Sequence, residues 1–328
     1  MCEYILQQTY RGYIISQEIK YCKKIVLQNY FWQGKKNLII KNRFSQKITQ
    51  ICFVVTMMTA FAVFTSPTNA QNRLSIAEVK DGLHMITGPG GNIGVRITSE
   101  GVILIDDKFP QDFDEIQSLV ASVSNLPVRY VINTHHHGDH SGSNAGFLPI
   151  AEVIAHKNAR ENMIRGNQDG LPRIVYSGET SVFLGGVEVQ VYHLGRGHTN
   201  GDSVVYFPDL KTVHGGDLLH GTAPFIDYGN GGSSHGWVGT MNNILAIDFD
   251  TAIPGHGAVM NRRDVLNFRN QMEAVRERMT SLIRNGLEFD DAPDEIIDEG
   301  LSWTQAENGL FMQRSIPGFY EEISAEID

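Results

Sequence analysis

Cysteine is nearly missing from this chain of 328 residues: Cys2, Cys22 and Cys52 are its three, and all fall within the first 70 positions. Residues 71–328 therefore offer no thiol for a disulfide framework, a thiolate metal site or a cysteine nucleophile. Basic charge is short in the same region. Residues 1–70 hold nine Lys or Arg against two Glu, whereas the remainder holds 18 basic and 35 acidic residues, a net of −17. Such a body repels phosphate backbones and anionic lipid, so nucleic acid and membrane surfaces are excluded as partners and a small-molecule substrate is expected. Catalytic signatures of other classes are thin. HExxH is absent, the glycines at 88–91 do not follow GxGxxG, and no serine elbow is read, leaving zincin, dinucleotide and covalent-hydrolase chemistry without support.

Long hydrophobic runs are also few. Residues 48–64 are apolar but interrupted by Gln50 and several Thr, which is short for a membrane span. Lys41, Arg43 and Lys47 precede this run and Ser66-Pro67-Thr68-Asn69-Ala70 follow it. A basic flank, a short apolar core and small residues describe a secretory signal cleaved after Ala70. The mature protein is then expected to be periplasmic or secreted, without stable membrane association. Residues 1–40 have no place in such a signal.

What the chain does hold is histidine in one tight group. Thr134-His135-His136-His137-Gly138-Asp139-His140 follows the apolar run Val128-Arg129-Tyr130-Val131-Ile132. In extended backbone, residues two apart share a side, so His135 and His137 converge while His136 faces away. A bend at Gly138 would bring Asp139 and His140 round toward a second cation. Imidazole and carboxylate together suit borderline divalent metals such as zinc. One loop cannot complete two coordination shells, and three later loops supply more candidates. His198 lies in Gly195-Arg196-Gly197-His198-Thr199, Asp217 in Val213-His214-Gly215-Gly216-Asp217, and His256 in Pro254-Gly255-His256-Gly257. Each stands among glycines just past an extended run.

The order HxHxDH, His, Asp, His resembles the metallo-β-lactamase superfamily, and the resemblance runs from about residue 83 to about residue 259. It implies an α/β fold, a four-layer αβ/βα sandwich, with two zinc ions at the seam between its halves; iron or a mixed divalent pair is the alternative. By the same resemblance His135, His137 and His198 hold one metal, Asp139, His140 and His256 hold the other, and Asp217 bridges them. It further implies a metal-bound hydroxide attacking a cyclic amide or ester carbonyl, with Asp139 relaying a proton. Lactonase, thioesterase, iron-dependent persulfide dioxygenase and a non-catalytic metal-binding protein are its neighbouring possibilities. Asp217 stands where one subclass of β-lactamases has a cysteine, which places the chain nearer the hydrolases with a bridging aspartate.

Three further residues are expected around that site. Asp106, at the end of the run 101–105, would orient a ligand histidine. His220, three residues past Asp217, would contact a substrate carboxylate or carbonyl, and Asn230 would donate to an oxyanion. Hydrophobic spacing predicts a helix over 112–123 between the strands at 101–105 and 128–132, a parallel crossover. It also predicts helices over 236–247 and over 261–284, the latter with Asn261 as its cap. The catalytic domain is thus assigned to residues 71–286. From Glu288 onward there are twelve acidic residues and only Arg314 to oppose them, so residues 287–328 read as a solvated appendage.

Overall fold

The computed structural model describes residues 73–305 and 309–327, all within the compact unit formed by residues 70–328. The signal expected at 48–70 lies outside the described residues. No helix among the described residues is long and apolar enough to cross a membrane.

Two sheets form the centre. The first has seven strands in chain order: β1 (Ser75–Lys80), β2 (Leu83–Thr87), β3 (Ile93–Ile97), β4 (Val102–Ile105), β5 (Val128–Asn133), β6 (Glu152–His156) and β7 (Ile174–Tyr176). β1 to β4 pair antiparallel and β4 to β7 pair parallel. The change follows from the connections, because tight turns join the early strands and helix α1 (Phe113–Val123) crosses from β4 to β5. The second sheet runs β13-β12-β11-β10-β9-β8, built from β8 (Glu179–Leu184), β9 (Val187–Tyr192), β10 (Val204–Phe207), β11 (Thr212–His214), β12 (Thr251–Ile253) and β13 (Met260–Asn261).

Three apolar layers join these sheets to helices. Ile116 and Val120 of α1 pack under the first sheet with Val95, Leu104 and Val131. Ile103, Ile105 and Ile132 meet Val189, Val205 and Ile253 between the sheets. The outer face of the second sheet buries Val204 and Val213 against a helical layer, so the order is helix, sheet, sheet, helix, the predicted sandwich.

Among the helices, α2 (Gly138–Ser141) is a single turn after β5, and α3 (Lys157–Arg165) follows β6. α4 spans Ser234–Ala246, starting two residues before the predicted position because Ser233 caps it by accepting from Gly236 N–H. α5 spans Arg262–Arg284, and Asn261 caps it as predicted, accepting from the N–H groups of Arg263 and Asp264. Its buried stripe is Val265, Phe268, Met272, Val275 and Met279.

The tail departs from expectation. Rather than a solvated appendage, residues 287–327 deliver Ile296, Trp303, Phe311, Phe319 and Ile323 into the layer that holds Phe268 and Met272. Most acidic residues of this segment face outward, while Glu322 of α6 (Ile316–Ile327) turns in to Ser233 and Ser234, and the apolar residues recur at helical spacing on the inward face. Burying an aromatic ring of that kind contributes about 2–3 kcal/mol, enough to make the tail part of the domain.

Candidate metal centre

Each side chain of the predicted set is delivered by a loop at the same edge of the two sheets. The β5–α2 loop carries His135 and His137, the turn of α2 carries Asp139 and His140, the segment after β9 carries His198, the turn after β11 carries Asp217, and the turn after β12 carries His256. The structure brings all seven together. His135 Nε2 stands 3.1 Å from His137 Nδ1, which stands 2.9 Å from His198 Nε2. Beside them, His140 Nε2 lies 3.4 Å from His256 Nε2, and Asp139 Oδ2 lies 3.6 Å from the first of these and 3.3 Å from the second. Asp217 stands between the two groups. Its Oδ2 is 4.0 Å from His135 Nε2 and 3.6 Å from His198 Nε2, whereas its Oδ1 is 3.1 Å from His140 Nε2 and 3.4 Å from His256 Nε2.

In four of the five rings the far nitrogen is held from behind. His135 Nδ1 meets Thr134 Oγ1 at 3.1 Å, His198 Nδ1 donates to the Phe225 carbonyl at 2.6 Å, and His137 Nε2 meets Asp227 Oδ2 at 2.9 Å. Asp106 takes His140 Nδ1 at 2.8 Å, in the orienting position predicted for it, and also accepts from the N–H and Oγ1 of Thr134. With the outer nitrogens so engaged, the inner ones turn toward one another.

These donors fit a pair of divalent cations. Imidazole lone pairs at about 3 Å from one another repel unless a proton or cation lies among them. Asp217 Oδ1, fully buried, has no partner in hydrogen-bonding geometry. Two glycines keep the space open. A Cβ on Gly91 would sit 2.2 Å from the His140 ring, and one on Gly255 would sit 2.0 Å from Asp217 Oδ1. Gly138 is different: a Cβ there would meet nothing within 4 Å, so the bend expected of it comes from the helical turn that begins after His137.

Electrostatics divides the cluster. Burial holds His135 well below the ordinary imidazole value and His198 at about 3, with Asp217 opposing in both cases. Burial also pulls His140 and His256 down, but carboxylates outweigh it. Asp217 and Asp106 hold His140 well above its ordinary value, and Asp139 and Asp217 hold His256 at about 9. In return, His140 keeps Asp217 well below the carboxylate range despite burial and, with His256, keeps Asp139 at about 2.

Of the other expected residues, His220 is at the cluster, its ring centre 4.8 Å from that of His256 and its Nδ1 accepting from Thr222 N–H. Asn230 does not serve an oxyanion: its amide donates to Asp227 and its carbonyl oxygen accepts from Arg165. Away from the cluster, His193 stacks on His156 with ring centres 4.0 Å apart. Residues 232–236 do have GxSxG spacing, contrary to the sequence reading. Ser234 nonetheless opens α4, with its hydroxyl tied to Glu322 and Arg276, and is no nucleophile. Two residues escaped that reading. One is Asp227, behind His137. The other is Lys108, fully buried, whose ammonium donates to the carbonyls of Pro89 and Gly91 and fastens the glycine loop over Asp139 and His140.

The sequence profile of the metallo-beta-lactamase superfamily matches residues 86–256, from β2 to the last histidine of the cluster. The chain belongs to this superfamily. Among curated relatives, the alpha subunit of 2,4-dinitroanisole O-demethylase from Nocardioides sp. is 29% identical over 182 residues, covering 54% of this chain and 55% of that subunit. Metallo-beta-lactamase type 2 of Bacillus cereus is 28% identical, covering 50% of this chain and 66% of that enzyme. Metallo-beta-lactamase IND-1 of Chryseobacterium indologenes is 30% identical, covering 49% and 69%. The chain thus spans little more than half of the demethylase subunit and about two thirds of the two lactamases. Among solved structures, a metallo-beta-lactamase from Pontibacter korlensis superimposes with a TM-score of 0.56 at 20% identity over 61% of this chain and 99% of its own. DIM-1 metallo-beta-lactamase gives 0.55 at 18% identity over 62% and 98%. At such identities these structures bear on the fold alone, and it is the profile match that assigns the superfamily.

Proposed function

We propose that the protein is an exported dinuclear zinc hydrolase acting on a cyclic amide or ester carbonyl. The observation that supports this most directly is the division of the Asp217 carboxylate between two imidazole groups, one oxygen toward each. His135, His137 and His198 would hold one ion, Asp139, His140 and His256 the other, and Asp217 both. When bound, such a pair lowers the pKa of a shared water and polarises a carbonyl oxygen. The chain's own groups supply the rest. Asp139, ionised and partly exposed at the edge of the cluster, is able to take a proton at Oδ2 and pass it on toward a leaving atom. His220 accepts at Nδ1 from Thr222, which leaves the hydrogen on Nε2 as a donor for substrate oxygen. Gly91 and Lys108 keep the glycine loop close over His140 and restrict water there.

A second reading comes from the demethylase subunit, which is matched over 182 residues: hydrolysis of an activated aryl ether at the same cluster. One experiment separates the readings. Metal content is measured on the purified protein, and turnover is followed with lactam, lactone, thioester and 2,4-dinitroanisole substrates. About two zinc ions per chain with lactam or lactone opening supports the proposal. Turnover of the ether alone transfers the assignment to the second reading, and bound metal without any turnover makes the protein a metal carrier.

A further inference from the structure

An open cleft of about 560 Å³ adjoins the metal centre, lined by His220, Thr222, Ala223, Val259, Met260, Phe268 and Trp303 among others. His220 belongs to both places. Its ligand atom lies within 4.8 Å of those of Asp217 and His256, while its neighbours Thr222 and Ala223 form one wall of the cleft. The stretch beside it, joined where Gly221 N–H donates to the His256 carbonyl at 2.7 Å, adds Ala258, two residues after His256. Phe268 of α5 and Trp303 of the tail, with ring centres 4.8 Å apart, make the floor. Met260, Phe268 and Trp303 all lie beyond residue 256, where the superfamily match ends.

We propose that this cleft binds an uncharged, apolar arm of the substrate, of aromatic-ring size or larger, attached next to the bond that is cleaved. The proposal rests on the hydrolase reading of the metal centre. Its volume is within the range of small-molecule sites, roughly 300–1,000 Å³. Its lining decides the chemistry. No Lys or Arg is among the residues that line it, and Asp264 is the carboxylate there, so an anionic arm would lose water without gaining a counter-charge. Aromatic and aliphatic surface instead gains about 25 cal/mol for each Å² it covers. The tail packed against α5 therefore shapes the substrate site as well as the core.

Val259 is the position to test, because at 40% exposure it accepts a charge without unfolding the domain. Val259→Glu would place a carboxylate on the apolar wall, and Val259→Leu would keep the wall apolar. Two readouts are taken on the full chain: kcat/KM for α-acylamino-γ-butyrolactones bearing acetyl or phenylacetyl groups, and equilibrium binding of the uncharged dye Nile red. The expected result is a phenylacetyl preference of about tenfold or more in the parent, retained by V259L and lost in V259E, with metal content unchanged. Nile red binding should be lost in V259E alone. If Nile red binds and V259E abolishes it but neither these lactones nor the corresponding acylamino lactams are opened, the cleft stands and the hydrolase reading fails. Absence of Nile red binding, or binding and acyl preference that V259E leaves unchanged, overturns the proposal.

Discussion

The two halves of the metal cluster use the same ring and opposite electrostatics. His135, His137 and His198 are backed by a hydroxyl, one carboxylate and a carbonyl, and burial keeps His135 and His198 uncharged, with one ring nitrogen bare. His140 and His256 instead sit among Asp106, Asp139 and Asp217, and these carboxylates hold protons on both rings. The first half is thus a nest of ready lone pairs, whereas the second is a set of ion pairs that a metal must displace. Asp217 is the one side chain that both halves share. The strongest way to break the contrast is therefore Asp217→Asn, which removes the charge facing both groups. Metal analysis should show loss of at least one ion, and hydrolysis should fall by about a thousandfold or more if the charge holds the pair together. Retention of both ions at full activity would mean that the halves are independent.

Replacing the carboxylate behind one ring in each half sharpens the comparison. Asp227→Asn changes the support of His137 without touching the other group, and Asp106→Asn changes that of His140. In the second case the new amide also points a donor at a ring nitrogen that now carries the hydrogen. Each change is expected to cost about 10–100-fold in affinity for the ion of its own half. Competition with a chelator, followed as two phases of zinc release, tests this. D227N should move one phase and D106N the other; a single phase moved equally by both would erase the distinction.

These supporting residues also mark where sequence ceased to be informative. The seven cluster residues were legible because each follows an extended run and sits among glycines, a local pattern. Asp106 was legible for the same reason, at the end of β4. Asp227 was not: it lies 90 residues from His137 in a loop without periodicity, and only the closing of the two sheets brings them together. Asn230 was noticed in that loop, but its partner is Asp227 and not substrate. In the tail, net charge was weighed above spacing. Apart from Glu322 the acidic groups face outward, yet Phe311, Ile316, Phe319 and Ile323 recur on one face, which periodicity would have found. Gly138 shows the reverse error, a glycine read as necessary where the backbone leaves room for a side chain.

Acid should separate the halves. In the metal-free chain His140 and His256 carry protons at neutral pH, so filling their half expels protons and its affinity falls as pH falls. His135 and His198 already lack theirs and meet no competition until strongly acid conditions. Dialysis at stepped pH from about 8 to about 5 should therefore take metal content from about two ions to about one before the second is lost. Unfolding in acid would mimic this, and His156 provides the control. It is 1% exposed, stacked on His193, and held at about 4 by burial, against an ordinary value of 6.5. Between those values the unfolded chain takes a proton that the folded chain refuses, so stability declines as pH drops through that window, by on the order of 2 kcal/mol. His156→Phe keeps a ring on the stack and removes the titration, so its melting temperature should vary less over that window than the parent's. If the pH of metal loss stays where it was in the parent, proton competition at His140 and His256 governs release. A shift of metal loss together with the melting curve would assign it to unfolding and dissolve the contrast between the halves.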